Sequence, residues 1–168
     1  MTVLVGRSDV DPSTVAVDPV VKRVRVALAI DQAFELFTAG MGEWWPLEVH
    51  SIAQDTHEGR VKAQSLIFEA RPGGHIRELM SDGSEGVWGT VLEWEPPTRV
   101  VFSWKPNLED GPFTEIEVRF TSAGSETDVE LKHGGWERFG RAAAERRNSY
   151  DAGWPRLLEL YRSAAARR

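Results

Sequence analysis

The side chains best suited to proton transfer or metal binding near neutral pH are four histidines, His50, His57, His75 and His133. His50 and His57 lie seven residues apart in a polar stretch, which matches neither the i, i+4 spacing of two ligands on one helix face nor another zinc signature. The chain contains no cysteine, so thiolate metal sites, cysteine nucleophiles and disulfides are excluded. RPGGH at 71–75 joins two strand-like runs instead of leading into a helix, and neither GxSxG nor GKS or GKT occurs. Phosphate-loop chemistry and a serine nucleophile elbow are thereby removed. No metal, no cofactor and no catalytic residue is assigned.

The run His75-Ile76-Arg77-Glu78 raises a different question. On a strand, His75 and Arg77 share one face and Glu78 takes the other. Facing inward, His75 and Arg77 would orient a carboxylate or an enolate, and they are carried as polar cavity candidates. Facing outward, they would be solvated with Ile76 packed inside, and alternation alone favours that placement. Glu69, Glu93 and Glu117 carry the same ambiguity. A cyclase or hydrolase needs an acid or base within hydrogen-bond reach of its substrate, a convergence that linear order does not display.

Aromatic side chains are the better binding candidates. The chain has seven tryptophans, more than a small packed core needs. The expected ligand-binding set is Trp44, Trp45, Phe68, Trp88, Phe102, Trp104 and Trp154, with Trp136 a further member of the aromatic group. Phe102 and Trp104 share one strand face. Ordinary core packing is the competing account for each residue taken singly.

These residues must be positioned by a chain of 168 residues, 41% hydrophobic and 27% charged, which suits one globular domain. A net charge of −6 argues against a nucleic-acid partner, and the basic residues Arg138, Arg141, Arg146, Arg147 and Arg156 read as a solvated helix face. No segment approaches the roughly 18 apolar residues of a membrane span, and the N-terminus lacks a signal-peptide pattern, so a cytoplasmic location is the default expectation.

Residues 1–19 read as an arm before a single domain at 20–168. VVKRVRVALAI at 20–30 alternates as a half-buried strand, Asp31 offers an N-cap, and DQAFELFTAG forms a short amphipathic helix ending at Gly40. A second helical turn or structured loop is expected around Trp44-Trp45-Pro46, and 48–63 is polar and ambiguous. Six strands follow in QSLIFEA, HIRELM, VWGTVLEWE, RVVFSWK, FTEIEVRFT and TDVELKH. Trp154, Leu157, Leu158 and Tyr161 then repeat at helical spacing, giving a long C-terminal helix from about Glu137 with a distortion at Pro155. Because the strands run together, the class is α+β. A curved antiparallel sheet wrapped around one long helix leaves room for an internal apolar cavity.

The phrases FEARPGGHIRE at 68–78, WGTVLEWEPPTRVVFSW at 88–104, TEIEVRF at 114–120, TDVELKHGGWERFG at 127–140 and YDAGWPRLLELY at 150–161 resemble the homologues of the activator of the heat-shock protein 90 ATPase. That family lies within the START-like, helix-grip superfamily. The resemblance implies a helix-grip fold over about 20–165, and a pocket that opens near Trp44 and Trp45. It transfers no reaction, because relatives include lipid carriers, hormone receptors, aromatic-polyketide cyclases and chaperone activators, and fold does not fix chemistry.

Three functions are therefore set side by side. The first is binding of a small hydrophobic or aromatic molecule between sheet and helix. The second is a polyketide-cyclase-like enzyme acting on an aromatic substrate in the same cavity. The third is a chaperone-activator-like interaction module, for which no broad apolar stripe is evident. A homodimer through a sheet edge or a helix is compatible with all three.

Overall fold

The computed structural model describes residues 17–56, 60–106 and 111–168. Residues 1–16 of the expected arm, and His57, lie outside the described residues.

Seven strands form one antiparallel sheet: β1 (Val20–Val26), β2 (Ala63–Phe68), β3 (His75–Met80), β4 (Glu85–Glu95), β5 (Arg99–Trp104), β6 (Thr114–Ala123) and β7 (Glu126–Gly134). The order across the sheet is β1-β7-β6-β5-β4-β3-β2, so β2 to β7 are a meander and β1 closes it against β7. The sheet curls into a half-barrel around α3 (Ala143–Ala166). Register shifts between Ala63 and Ser65, Ile76 and Arg77, and Val91 and Glu93 add curvature on the β2–β4 side. At Gly89 a Cβ would lie 1.8 Å from the Ser103 carbonyl oxygen, so only glycine permits β4 to pass that close to β5.

Alternation sets the inner face. Val100, Phe102 and Trp104 of β5, Ile116, Val118 and Phe120 of β6, and Val129 and Leu131 of β7 are all buried. Their neighbours form the outer face, where Arg99 bonds Glu117 at 2.7 Å and Glu95 at 2.9 Å and also contacts Glu93. Across β1 and β7, Arg23 meets Glu130 at 2.8 Å and Arg25 meets Asp128 at 2.7 Å.

Between β1 and β2 lie α1 (Ile30–Phe37), a 3-10 turn at Met41–Glu43, and α2 (Ile52–Thr56). Helix α1 buries Ala33, Phe34, Leu36 and Phe37. It starts one residue before Asp31: Ala29 occupies the cap without a side-chain bond, and Asp31 lies in the first turn, where its charge suits the helix dipole. Strand β1 ends at Val26, not near Ile30. Within the ambiguous stretch, α2 is begun by Ser51, whose Oγ accepts from the Gln54 N–H at 3.0 Å.

The expected distortion of the last helix sits elsewhere. A 3-10 segment at Trp136–Ala142 is broken at Gly140, whose φ of 56° is left-handed, and α3 then runs on with Pro155 inside it. The chain turns at the glycine because no Cβ penalises that backbone.

Candidate functional site

One end of the interior is dry. Phe34, Phe37, Phe120, Trp44 and Tyr161 meet there, with Phe37 5.2 Å from Tyr161, 5.3 Å from Trp44 and 6.0 Å from Phe120. The Tyr161 hydroxyl donates to the Ala33 carbonyl at 2.7 Å, and the Trp44 indole donates to the Leu36 carbonyl at 3.0 Å.

The other end opens into a cleft of about 280 Å³. Trp45, Trp88, Trp104 and Trp154 form its aromatic walls, and Arg146, Ser149, Tyr150, Gly153 and Leu157 line the α3 side. Positions 146, 149, 150, 153, 154 and 157 follow the i, i+3, i+4, i+7 spacing of a single helix face. His50, Ser51 and Asp55 close the mouth from the α2 side. Two wider depressions, of about 530 and 630 Å³, lie along β1 and are lined largely by charged side chains of β1 and its neighbours, with Arg23 and Arg25 in both. Their arginines are already ion-paired, and they lack the aromatic walls and convergent polar groups of a binding site.

Each tryptophan of the cleft commits its N–H to the protein. Trp45 donates to the His50 carbonyl at 2.8 Å, Trp88 to Glu78 at 3.1 Å, Trp104 to the Tyr150 hydroxyl at 3.1 Å and Trp154 to His133 Nδ1 at 3.0 Å. Trp45 lies 5.2 Å from Trp88, 5.5 Å from Trp104 and 6.3 Å from Trp154, in tilted or edge-to-face arrangements. Such contacts contribute about 0.5–1.5 kcal/mol per pair beyond area burial. The rings are thus fixed by the fold itself.

Two buried polar residues hold this end together. His133, fully buried, stacks 4.4 Å from Trp136 and 4.7 Å from Tyr150. Because the Trp154 indole can only donate, Nδ1 must be the acceptor, and the proton sits on Nε2, which donates to Thr114 Oγ at 2.7 Å. The Thr114 hydroxyl in turn donates to the Trp104 carbonyl at 3.2 Å. Burial pulls the His133 pKa down to about 3, so the ring is neutral at physiological pH. It is a structural link with both nitrogens used, not a proton carrier.

Glu78 is also fully buried, and all three of its partners are donors. Its carboxylate accepts from the Ile52 N–H at 2.8 Å, the Ala53 N–H at 2.9 Å and Trp88 Nε1. One side chain of β3 therefore secures both α2 and a wall of the cleft.

The expected residues divide accordingly. Trp45, Trp88, Trp104 and Trp154 come together around the cleft. Trp44 belongs to the dry end, while Phe68 and Phe102 pack on one another at 5.5 Å inside the core, away from the lining. Trp136 is buried against His133 and donates to its carbonyl at 2.9 Å. The polar cavity placement of His75 and Arg77 is corrected: Ile76 and Glu78 point inward, His75 is exposed, and Arg77 bonds Glu85 at 3.0 Å on the outer face. Glu69 binds Arg71 and the His75 N–H, and Glu93 and Glu117 face Arg99, all on that outer side. His133, Glu78 and Tyr150 were missed as site residues. For the first two the signal was present, since His133 continues the inward alternation of Val129 and Leu131, and Glu78 that of Ile76.

A sheet curled around one long helix, with a cleft opening between them, is the helix-grip architecture of the START-like proteins. The chain belongs to the family described as Activator of Hsp90 ATPase homolog 1-like protein, which matches residues 27–163. Among solved structures it is similar to Txn09, an anthrahydroquino-γ-pyrone synthase, with 33% identity over 88% of this chain and 97% of that one and a TM-score of 0.59. It is also similar in fold to BH1534 of Bacillus halodurans, at 20% identity over 88% and 96% of the two chains and a TM-score of 0.60. DynU16, from the dynemicin biosynthetic locus, is 22% identical, and the match covers 88% of this chain and 46% of that one with a TM-score of 0.53.

Proposed function

We propose that the tryptophan-walled cleft binds a small, flat, oxygen-bearing aromatic molecule. The observation that carries this reading is the arrangement of the indoles: all four N–H groups are satisfied within the protein, so what these largely buried side chains offer the cleft is ring surface, with polar groups of α2 and α3 on either side of it. Ring surface suits an aromatic guest, and the polar groups around it suit its oxygen substituents. The volume of about 280 Å³ falls at the lower end of small-molecule sites, which favours a fused ring system over a long acyl chain. The large exposed apolar side chains, Val21, Val49, Val87, Leu92 and Phe113, are scattered over several elements, which supports a cleft ligand over an apolar protein-docking stripe.

The 33% identity to the pyrone synthase favours a second step, in which the bound aromatic is a substrate for ring closure. His50 and Asp55, at the mouth, carry the imidazole and carboxylate suited to moving a proton there. His133 is unsuited, being neutral, buried and bonded through both nitrogens.

The test is tryptophan-fluorescence titration with fused-ring hydroxyquinones, alongside a fatty acid of similar mass. Saturable quenching by the quinones, with a raised melting temperature that Trp104→Ala abolishes, is the expected result. Preference for the fatty acid, or no response to either in folded protein, overturns the reading.

A further inference from the structure

Resting on that reading of the cleft, we infer that Tyr150 and Arg146 form its anchoring subsite, where an ionised oxygen of the aromatic ligand, a phenolate or an enolate, is received.

Tyr150 and Arg146 stand four residues apart on α3, so they project from one wall, a turn from each other. The Tyr150 hydroxyl accepts from the Trp104 indole at 3.1 Å. That bond occupies the oxygen and leaves the phenolic proton to donate, and a hydroxyl that already accepts is a stronger donor through polarisation of the chain. The ring is held in place by His133 at 4.7 Å and Trp136 at 5.3 Å, so the hydroxyl is positioned by the fold and loses little freedom on binding. Burial raises the Tyr150 pKa, which keeps it a neutral donor at physiological pH.

Arg146 supplies the charge. Its guanidinium lies 4.9 Å from the Phe139 ring centroid, and no carboxylate pairs with it among the described residues. Other arginines nearby are engaged: Arg147 with Asp151 and Arg138 with Glu115. On the α2 side of the cleft stand Asp55 and His50. The guanidinium and the polarised hydroxyl on one wall direct an ionised oxygen toward α3, where its hydrogen bonds are charge-assisted.

The experiment compares alizarin with its dimethyl ether, using tryptophan quenching for affinity and the visible band of alizarin for its ionisation. The wild type is expected to bind both and to ionise bound alizarin at a lower pH than free alizarin. Tyr150→Phe and Arg146→Gln should each weaken alizarin about tenfold and return its ionisation toward the free value. Affinity for the ether should change less than about threefold, and Arg146→Lys should restore most of the ionisation shift. Melting temperatures of the variants show that they are folded. If both probes bind but bound alizarin titrates as it does in buffer and the variants match wild type, the anchor is refuted and the cleft reading stands. If folded protein binds neither probe, the cleft reading itself is lost.

Discussion

The two ends of the interior are both built from aromatic rings set edge to face, yet they are held in different ways. At the closed end, Phe34, Phe37 and Phe120 interlock through ring contacts, and the nearby polar groups of Tyr161 and Trp44 bond to backbone carbonyls of α1. Shape and area do most of the holding there. At the cleft end, tryptophans replace phenylalanines, and three of the four indoles are tied to a side chain: Glu78, Tyr150 or His133. The four indoles are still only 1–8% exposed, so they too are packed on nearly all sides. Directional bonds at the ring edges add to that packing and fix the orientation of each indole where it borders the cleft.

The largest expected effect falls at the closed end. Phe37→Ala removes a fully buried ring that touches Trp44, Phe120 and Tyr161, and should cost about 3–5 kcal/mol in urea unfolding. Quenching by cleft ligands should persist in the folded fraction. Loss of ligand binding at unchanged stability would mean that the two ends are not separate.

His133→Phe, next in size, keeps a flat ring but leaves the Trp154 N–H without its acceptor and Thr114 without its donor, at about 2–3 kcal/mol. The pH profile sharpens this prediction. Above pH 6.5 the imidazole is neutral both folded and unfolded and makes no pH-dependent difference. As pH falls below 6.5 the unfolded chain takes up a proton that the folded one refuses until about pH 3, so stability declines through that window by at most roughly 1.4 kcal/mol per pH unit. The lowered carboxylates Glu69, Glu117, Asp128 and Asp151 act only from about pH 4.5 downward. The slope between pH 4.5 and 6.5 should therefore flatten in His133→Phe. An unchanged slope would show that His133 is solvated.

Alternation and helical spacing carry the positions of the strands along the chain, the α+β class and the inner face of β5 to β7 directly in the residues, because a strand has only two faces to offer. Which aromatics line a cleft is not local information. Trp44 and Trp45 are adjacent in sequence and their rings lie 5.9 Å apart, yet Trp44 packs on Phe37 and Tyr161 while Trp45 borders the cleft with Trp88, Trp104 and Trp154. Tyr150 becomes a site residue only because Trp104, 46 positions earlier, reaches it. Propensity places the distortion of the last helix at Pro155, the stronger helix breaker, yet the chain breaks at Gly140, where a left-handed turn is free of steric cost. His133 and Glu78 were legible by alternation, and their polarity concealed them, since a charged or titratable residue is normally assigned to the outside.

Glu78 gives the smallest and most local of these effects. In Glu78→Gln the amide offers one acceptor where three donors converge. If its oxygen takes the position shared by the Ile52 N–H and Trp88 Nε1, its NH2 group faces the Ala53 N–H, donor against donor; turned over, it loses two bonds instead of one. The loss should be about 1–2 kcal/mol, concentrated in α2 because β3 is held on both sides by its neighbours. Hydrogen exchange should quicken at Ile52 and Ala53 while the amides of β6 and β7 stay protected. Ligand affinity should fall a few-fold, since Ser51 and Asp55 of the mouth move with α2, in contrast to Phe37→Ala, which costs more stability and spares the cleft. Slow exchange at α2 in this variant would place the hold on that segment elsewhere, and would detach the mouth of the cleft from the carboxylate beneath it.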